Sequence, residues 1–307
     1  MTIWFSHPSG RDHVTPEGHP ERVARLDAVE RGLAPLGLDR REAPDCSDED
    51  IALCHPAEYL RRIEARLPTQ GHAALDGDTI LAPGSLAAAR HAVGGTIAAI
   101  DAVLGAEAGS AFVGCRPPGH HAETETAMGF CLFGTAAIGA RHALQRWSLD
   151  RVAVVDFDVH HGNGTQDLLW SERNAMFVST HQMPLFPGTG NPRERGAHGQ
   201  ILNLPLDPGT DGGAMRLVYE RQVLPALRRF QPGLIIVSAG FDAHRRDPLA
   251  NLDWEAEDFA WITERLCDVA HEFSGGRIVS TLEGGYDLDA LEISVAAHVG
   301  MLKERCP

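Results

Sequence analysis

The chain has 307 residues, 43% hydrophobic and 22% charged, enough to bury the core of one large α/β domain or two smaller ones. A net charge of −15 with no Lys/Arg block excludes a general nucleic-acid binder, and no apolar run approaches the length of a membrane span. Six cysteines without a C-x-x-C pair, and a Met1–His7 start without a signal peptide's layout, lead us to expect a cytoplasmic protein with reduced thiols.

In chain order, Thr2–Phe5 reads as a short strand, followed by a polar segment from Ser6 to Pro20. Val23, Leu26, Val29 and Leu33 recur at helical spacing. Ile51–Leu67 reads as a helix pair interrupted at His55-Pro56. Gln70–Pro83 is the longest irregular stretch, and long loops in compact domains are often functional. Ser85–Leu104 is a small-residue helix. A repeated pattern of strand, polar loop and helix then sets in. Strands are predicted at Ala111–Cys115, Val152–Phe157, Met176–Thr180, Leu234–Ser238 and Arg277–Leu282. Helices are predicted around Phe133–Trp147 and at Leu217–Phe230, Asp258–Phe273 and Leu288–Lys303. This alternation predicts an α/β fold with a mainly parallel sheet and helices on both faces. No repeat or composition break divides it, so residues 1–307 read as one domain.

The chemistry concentrates in Arg151-Val-Ala-Val-Val-Asp-Phe-Asp-Val-His-His-Gly-Asn-Gly-Thr165. It begins as a β-branched run and ends in carboxylates and imidazoles. If the extended backbone continues to His160, then Asp156, Asp158 and His160 project to one side. Burying such a group is costly unless a cation or a hydrogen-bond network compensates, and Asp-x-His suits zinc or a related divalent ion. Every other polar cluster also follows a strand: His120-His121, Asp242 and Tyr286. In open α/β sheets, ligands bind at that carboxyl edge. Asp158, His160 and Asp242 would give two carboxylates and one imidazole, balancing a divalent ion and leaving coordination open. The paired histidines are placed to exchange protons with a water, and Tyr286 to stabilise an oxyanion. The acidic chain is also compatible with a cationic substrate, such as a lysine-bearing peptide or a polyamine.

Arg116-Pro-Pro-Gly-His-His-Ala122, Gly129-Phe-Cys131, Asp156-Phe-Asp-Val-His-His-Gly-Asn-Gly164, Phe186-Pro-Gly-Thr-Gly190, Ser238-Ala-Gly-Phe-Asp-Ala243 and Leu282-Glu-Gly-Gly-Tyr286 together resemble the histone deacetylase family, nearest its class II and bacterial branch. With His19-Pro20-Glu21, the motifs span almost the whole chain in the family's order. The resemblance implies the arginase–deacetylase fold, with a central sheet of about eight strands, and zinc-dependent hydrolysis of an N-acetyl amide, with Fe2+ as an alternative metal in the cell. It implies Asp158, His160 and Asp242 as metal ligands and His121 as general base, then acid. His120 would support it electrostatically, and Tyr286 would polarise the acetyl carbonyl. Asp156 would orient His120, and Asn163, where many relatives carry Asp, would accept from His121. An amide there fixes the tautomer without stabilising imidazolium, so His121 is expected to have the lower pKa of the pair.

The resemblance further implies an acyl-lysine tunnel walled by Phe130 and Phe186, with the Gly129 carbonyl beside them. It implies a structural potassium ion held by Asp156, Asp158, His160, Ser179 and Thr180. Polyamine-preferring relatives carry a Glu after the Asp-Pro that follows the third metal ligand. Here Asp247-Pro248 is followed by Leu249, which favours acetyl-lysine peptides or similar small N-acyl amines over acetylpolyamines. Gly134-Thr135, where relatives commonly carry Asn, departs from the pattern without an evident chemical consequence. A catalytically silent acyl-lysine binder is the reading from another class, and a monomer or a homodimer are both left open.

Overall fold

The apolar runs are rich in β-branched residues because both of their faces are covered. In the computed structural model, which describes residues 1–307, the strands are β1 (Thr2–Ser6), β2 (Asp39–Glu42), β3 (Ala73–Ala74), β4 (Ile80–Leu81), β5 (Ser110–Val113), β6 (Val152–Asp156), β7 (Ala175–Gln182), β8 (Ile201–Leu206), β9 (Leu234–Ala239) and β10 (Ile278–Leu282). Eight of them form one sheet in the order β2-β1-β5-β10-β9-β6-β7-β8, and every neighbouring pair is parallel. β3 and β4 form a small antiparallel hairpin within the 70–83 stretch.

Alternate residues of the strands enter two separate cores. Val154 and Ile236 pack with Val93, Ile100 and Ile138 on one face. Val155 and Val237 pack with Val29, Ile262 and Val295 on the other. The first face is covered by the helices Ser85–Leu104 and Thr135–Arg146, the second by Ala24–Leu33, Ala256–Phe273 and Leu288–Arg305. A parallel sheet buried on both sides needs apolar residues on both faces of its strands, and most positions of the central strands supply them.

Besides the β3–β4 hairpin, in a stretch read as irregular, three elements depart from the sequence reading. β2 was not expected, because Asp39-Arg-Arg-Glu42 has no apolar side chain. It is an edge strand, held by its pairing with β1 and by ion pairs such as Arg41–Glu107 at 2.8 Å. β8 was missed as well. It is the opposite edge, and its Pro205 is tolerated because no strand lies beyond it to need an N–H. The helix expected at Leu217–Phe230 starts earlier, at Gly212, and contains a π-helical turn at Tyr219–Val223.

The crossover from β5 to β6 skips two places, which β9 and β10 fill later. β5, β10, β9 and β6 are therefore adjacent at the centre of the sheet, where the direction of strand addition reverses. Such a switch point opens a crevice outside the strand ends.

Candidate active site

The loops that leave these four central strands carry every polar cluster singled out in the sequence. β6 ends at Asp156, so the extended backbone does not continue to His160, and strict alternation is not what gathers the side chains. Local turns do so instead. Asp156 Oδ1 accepts from the Asp158 backbone N–H at 3.0 Å, and Asp158 Oδ1 accepts from that of His160 at 2.9 Å. Each carboxylate thus ties down the backbone two residues ahead, as Asp does in turns. Asp242, just past β9, reaches the same place, its Oδ1 accepting from the Val159 N–H at 2.9 Å.

Asp158, His160 and Asp242 are buried, and their donor atoms lie within 4.8 Å of one another. His160 Nδ1 stands 3.0 Å from Asp158 Oδ1 and 3.1 Å from Asp242 Oδ2. Burial works against a charged His160, but hydrogen bonds to the two carboxylates outweigh it and raise its pKa to about 10. Burial also pushes Asp242 up, and the negative charge of Asp158 adds to this. This is the electrostatic signature of a site built for a cation: an imidazole nitrogen and two carboxylates converge without room for a further side chain. A Cβ at Gly284 would collide with the Asp242 and Asp158 carboxylates, so the β10 loop can pass there only as glycine.

The loop after β5 brings His120 and His121 alongside, their ring centroids 4.0 Å apart. His120 Nδ1 lies 3.0 Å from Asp156 Oδ2. His121 Nδ1 lies 2.7 Å from Asn163 Oδ1. The Asn163 amide nitrogen donates to Glu123 at 2.8 Å, so its oxygen faces His121, and Nδ1 of His121 must carry the proton. The two imidazoles differ as expected. Burial opposes charge on both, but Asp158 and Asp156 raise His120 well above its ordinary value. His121 is held well below by burial, with the charges of His120 and His160 acting in the same sense.

Tyr286 arrives on the loop after β10, only 6% exposed. Burial, reinforced by Asp242, keeps its hydroxyl protonated far above the ordinary range. These groups lie at the base of a cavity of about 470 Å³ lined by His121, His160, Tyr286, Gly129, Phe130, Phe186 and Leu249, among others. Phe130 stands edge-on to Tyr286 and Phe186 edge-on to His121. A Cβ at Gly129 would strike the His121 ring, which is why the cavity wall has glycine there. Ser179 and Thr180 lie behind this floor on β7. Ser179 pairs in register with Asp156, and the Thr180 hydroxyl is 3.5 Å from the Asp156 carbonyl.

Sequence reasoning missed several buried groups. Glu21 ties Arg25 and Arg116 together, and all three are fully buried. Asp247 Oδ2 accepts from the Tyr286 N–H at 2.7 Å, and Glu283 accepts from the loop that carries the histidine pair. His19-Pro20-Glu21 was visible as a motif, but nothing in a sequence separates a buried Arg–Glu pair from a surface one. The cavity rim comes from Pro16, His19 and Pro20 and from Gly77, Asp78 and Ile80, in the two irregular stretches. Asp76 stays exposed and caps the turn, accepting from the Asp78 and Thr79 N–H groups.

The comparisons with known proteins agree with this geometry. The histone deacetylase domain matches residues 19–302. The histone deacetylase-like amidohydrolase of Pseudomonas aeruginosa is 42% identical over 287 residues, covering 92% of this chain and 75% of that protein. A probable deacetylase of Archaeoglobus fulgidus is 36% identical, covering 92% of this chain and 80% of its own. The solved HD domain of HDA15 superposes with a TM-score of 0.93 at 31% identity, over 100% of this chain and 90% of that one. The arginase–deacetylase fold expected from the motifs is thereby shown. A match that runs through all four central loops, and through the fold that positions them, places the chain in the histone deacetylase family.

Proposed function

We propose that the chain is a zinc-dependent deacetylase that removes acetyl groups from lysine side chains or similar small N-acyl amines. The observation that carries this is the convergence of Asp158, His160 and Asp242 with His120, His121 and Tyr286 at one largely apolar cavity, which His121, His160 and Tyr286 line. The donor set, two carboxylates and one imidazole within 4.8 Å, fits a divalent ion with open positions. Such an ion supplies Lewis-acid polarisation of the carbonyl and lowers the pKa of a bound water; Fe2+ would satisfy the same donors.

The chain's own residues do the rest. His121, neutral and with its Nδ1–H donated to Asn163, presents the Nε2 lone pair to the attacking water and takes its proton. His120, held charged by Asp156 and Asp158, stabilises negative charge as it develops beside it. Tyr286 donates its hydroxyl to the acetyl oxygen. The proton held by His121 then goes to the departing amine. Phe130 and Phe186 flank the substrate's methylene chain, and the Gly129 carbonyl accepts from its amide N–H. A potassium ion held by oxygens of Asp156, Asp158, His160, Ser179 and Thr180 would stiffen the floor.

Leu249 lines the cavity and offers no partner to a second ammonium, which supports acyl-lysine as substrate. One observation favours acetylpolyamines: Asp78 also lines the cavity, and its carboxylate would be a partner for a distant amine. Hydrolysis of an acetyl-lysine peptide against N-acetylputrescine by zinc-loaded protein separates the two. Preference for the peptide is expected, with Tyr286→Phe lowering kcat by about 10²-fold or more. Preference for N-acetylputrescine, lost in Asp78→Asn, would establish the polyamine reading. Absence of turnover with both, alongside binding of acetyl-lysine peptide, would make the chain a silent binder.

A further inference from the structure

We propose that Glu283 is a positioning residue that clamps the loop carrying His120 and His121 to the loop carrying Tyr286. Glu283 follows β10 directly and is fully buried. A single carboxylate oxygen, Oε2, accepts from two successive backbone N–H groups, those of Gly119 at 2.7 Å and His120 at 3.1 Å. The other oxygen, Oε1, has no hydrogen-bond partner. β5 and β10 are paired only as far as Val113 and Thr281. Beyond that point the ladder ends, and the two loops that follow diverge in sequence while having to stay in register in space. Gly119 leaves no slack: a Cβ there would sit 2.8 Å from the Phe133 carbonyl and the Thr135 nitrogen.

The backbone nitrogen of His120 fixes where its Cα lies, and therefore where both imidazoles point. Tyr286 is three residues beyond Glu283, and its loop is held from the opposite side by Asp247. Glu283 thus sets the spacing between the proton-transfer pair and the hydroxyl that faces them across the cavity. Misplacement of reacting groups by about 1 Å costs on the order of 10²-fold in rate. Losing the acceptor would also leave two buried N–H groups unpaired.

Acceptor geometry requires one oxygen and not the charge, so Gln can hold both amides, whereas Ala cannot. We expect Glu283→Gln to keep kcat within about 3-fold and Glu283→Ala to lower it by about 10²-fold, with KM changed by no more than about 2-fold. The inference rests on the deacetylase reading for its rate but not for its geometry. Amide hydrogen exchange of residues 118–121 in metal-free protein tests the clamp without turnover. Protection should persist in Glu283→Gln and be lost in Glu283→Ala. A wild-type chain without deacetylase activity sinks the functional reading and leaves the clamp to be decided by exchange alone. Unchanged exchange or unchanged kcat in Glu283→Ala, or a Gln variant as impaired as Ala, overturns the positioning role.

Discussion

Asp242 shows how much a single side chain is asked to do. Its Oδ2 faces His160 Nδ1, its Oδ1 holds the Val159 backbone, and its burial raises its pKa unless a cation is present. Asp242→Asn keeps the shape and an acceptor but removes one of the charges that balance a divalent ion. The expected outcome is one zinc per chain in the wild type by elemental analysis, and at least about a 10-fold weaker affinity in the variant. Equal metal content after dialysis against the same chelator would show that Asp242 is not a ligand. At this scale the sequence was highly legible. Asp158, His160, Asp242, the histidine pair and Tyr286 could be named because each follows a strand whose apolar character announces it. Glu283 and Asp247 could not be assigned. Their work is to accept backbone N–H groups from loops 164 and 39 residues away in the chain, and local sequence carries no trace of that.

Elements were legible in proportion to their burial. The helix at Ser85–Leu104 and the central strands emerged close to their observed bounds because they are mostly apolar and small or β-branched. The edge strands were not seen, since an edge needs only backbone pairing on one side. What joins the N-terminal segment to the rest is an ionic knot. Glu21 Oε1 binds Arg25 Nη1 at 3.0 Å and Arg116 Nε at 2.5 Å, while Arg25 donates onward to the carbonyls of Glu283 and Gly285. The knot therefore joins the helix Ala24–Leu33 to the loops after β5 and β10. Burial opposes ionisation of Glu21, but Arg116 outweighs it and holds the carboxyl well below its ordinary range. Glu21→Ala strands two fully buried guanidinium groups, and breaking a buried pair in this way typically costs about 3–5 kcal/mol. We expect denaturant unfolding to show a loss of that size. A loss below about 1 kcal/mol would mean that the arginines find other partners.

For the whole molecule, the two cores on either side of the sheet each enclose a neutral histidine, and this ties stability to pH. His55 Nδ1 donates to the Thr124 carbonyl at 3.1 Å, while its Nε2 accepts from the Gly134 N–H at 2.9 Å. A proton on Nε2 would face that N–H, and burial lowers the pKa of His55 to about 4. His298 lies in the other layer, its Nδ1 2.5 Å from Thr263 Oγ1 and its Nε2 2.8 Å from Ser280 Oγ. The Thr263 hydroxyl donates to the Phe259 carbonyl, so it must accept from His298, which burial depresses to about 3. Both folded-state values lie below the ordinary 6.5, so the unfolded chain binds more protons as pH falls from 6.5 towards 4. Their contribution is complete above about pH 6.5 and is lost as pH drops through that window, at up to about 1.4 kcal/mol per histidine per pH unit. Acid release of a bound metal would steepen the same curve, so the wild type alone does not isolate the effect. His298→Gln retains polar partners for both hydroxyls but cannot titrate, and metal release is common to both proteins. The difference in unfolding free energy between them should therefore change by about 1.4 kcal/mol per unit between pH 6 and pH 4, in the direction that makes the variant the less acid-sensitive protein. Parallel curves over that range would mean that His298 is already charged within the fold, with Nε2 donating to Ser280 as Nδ1 does to Thr263.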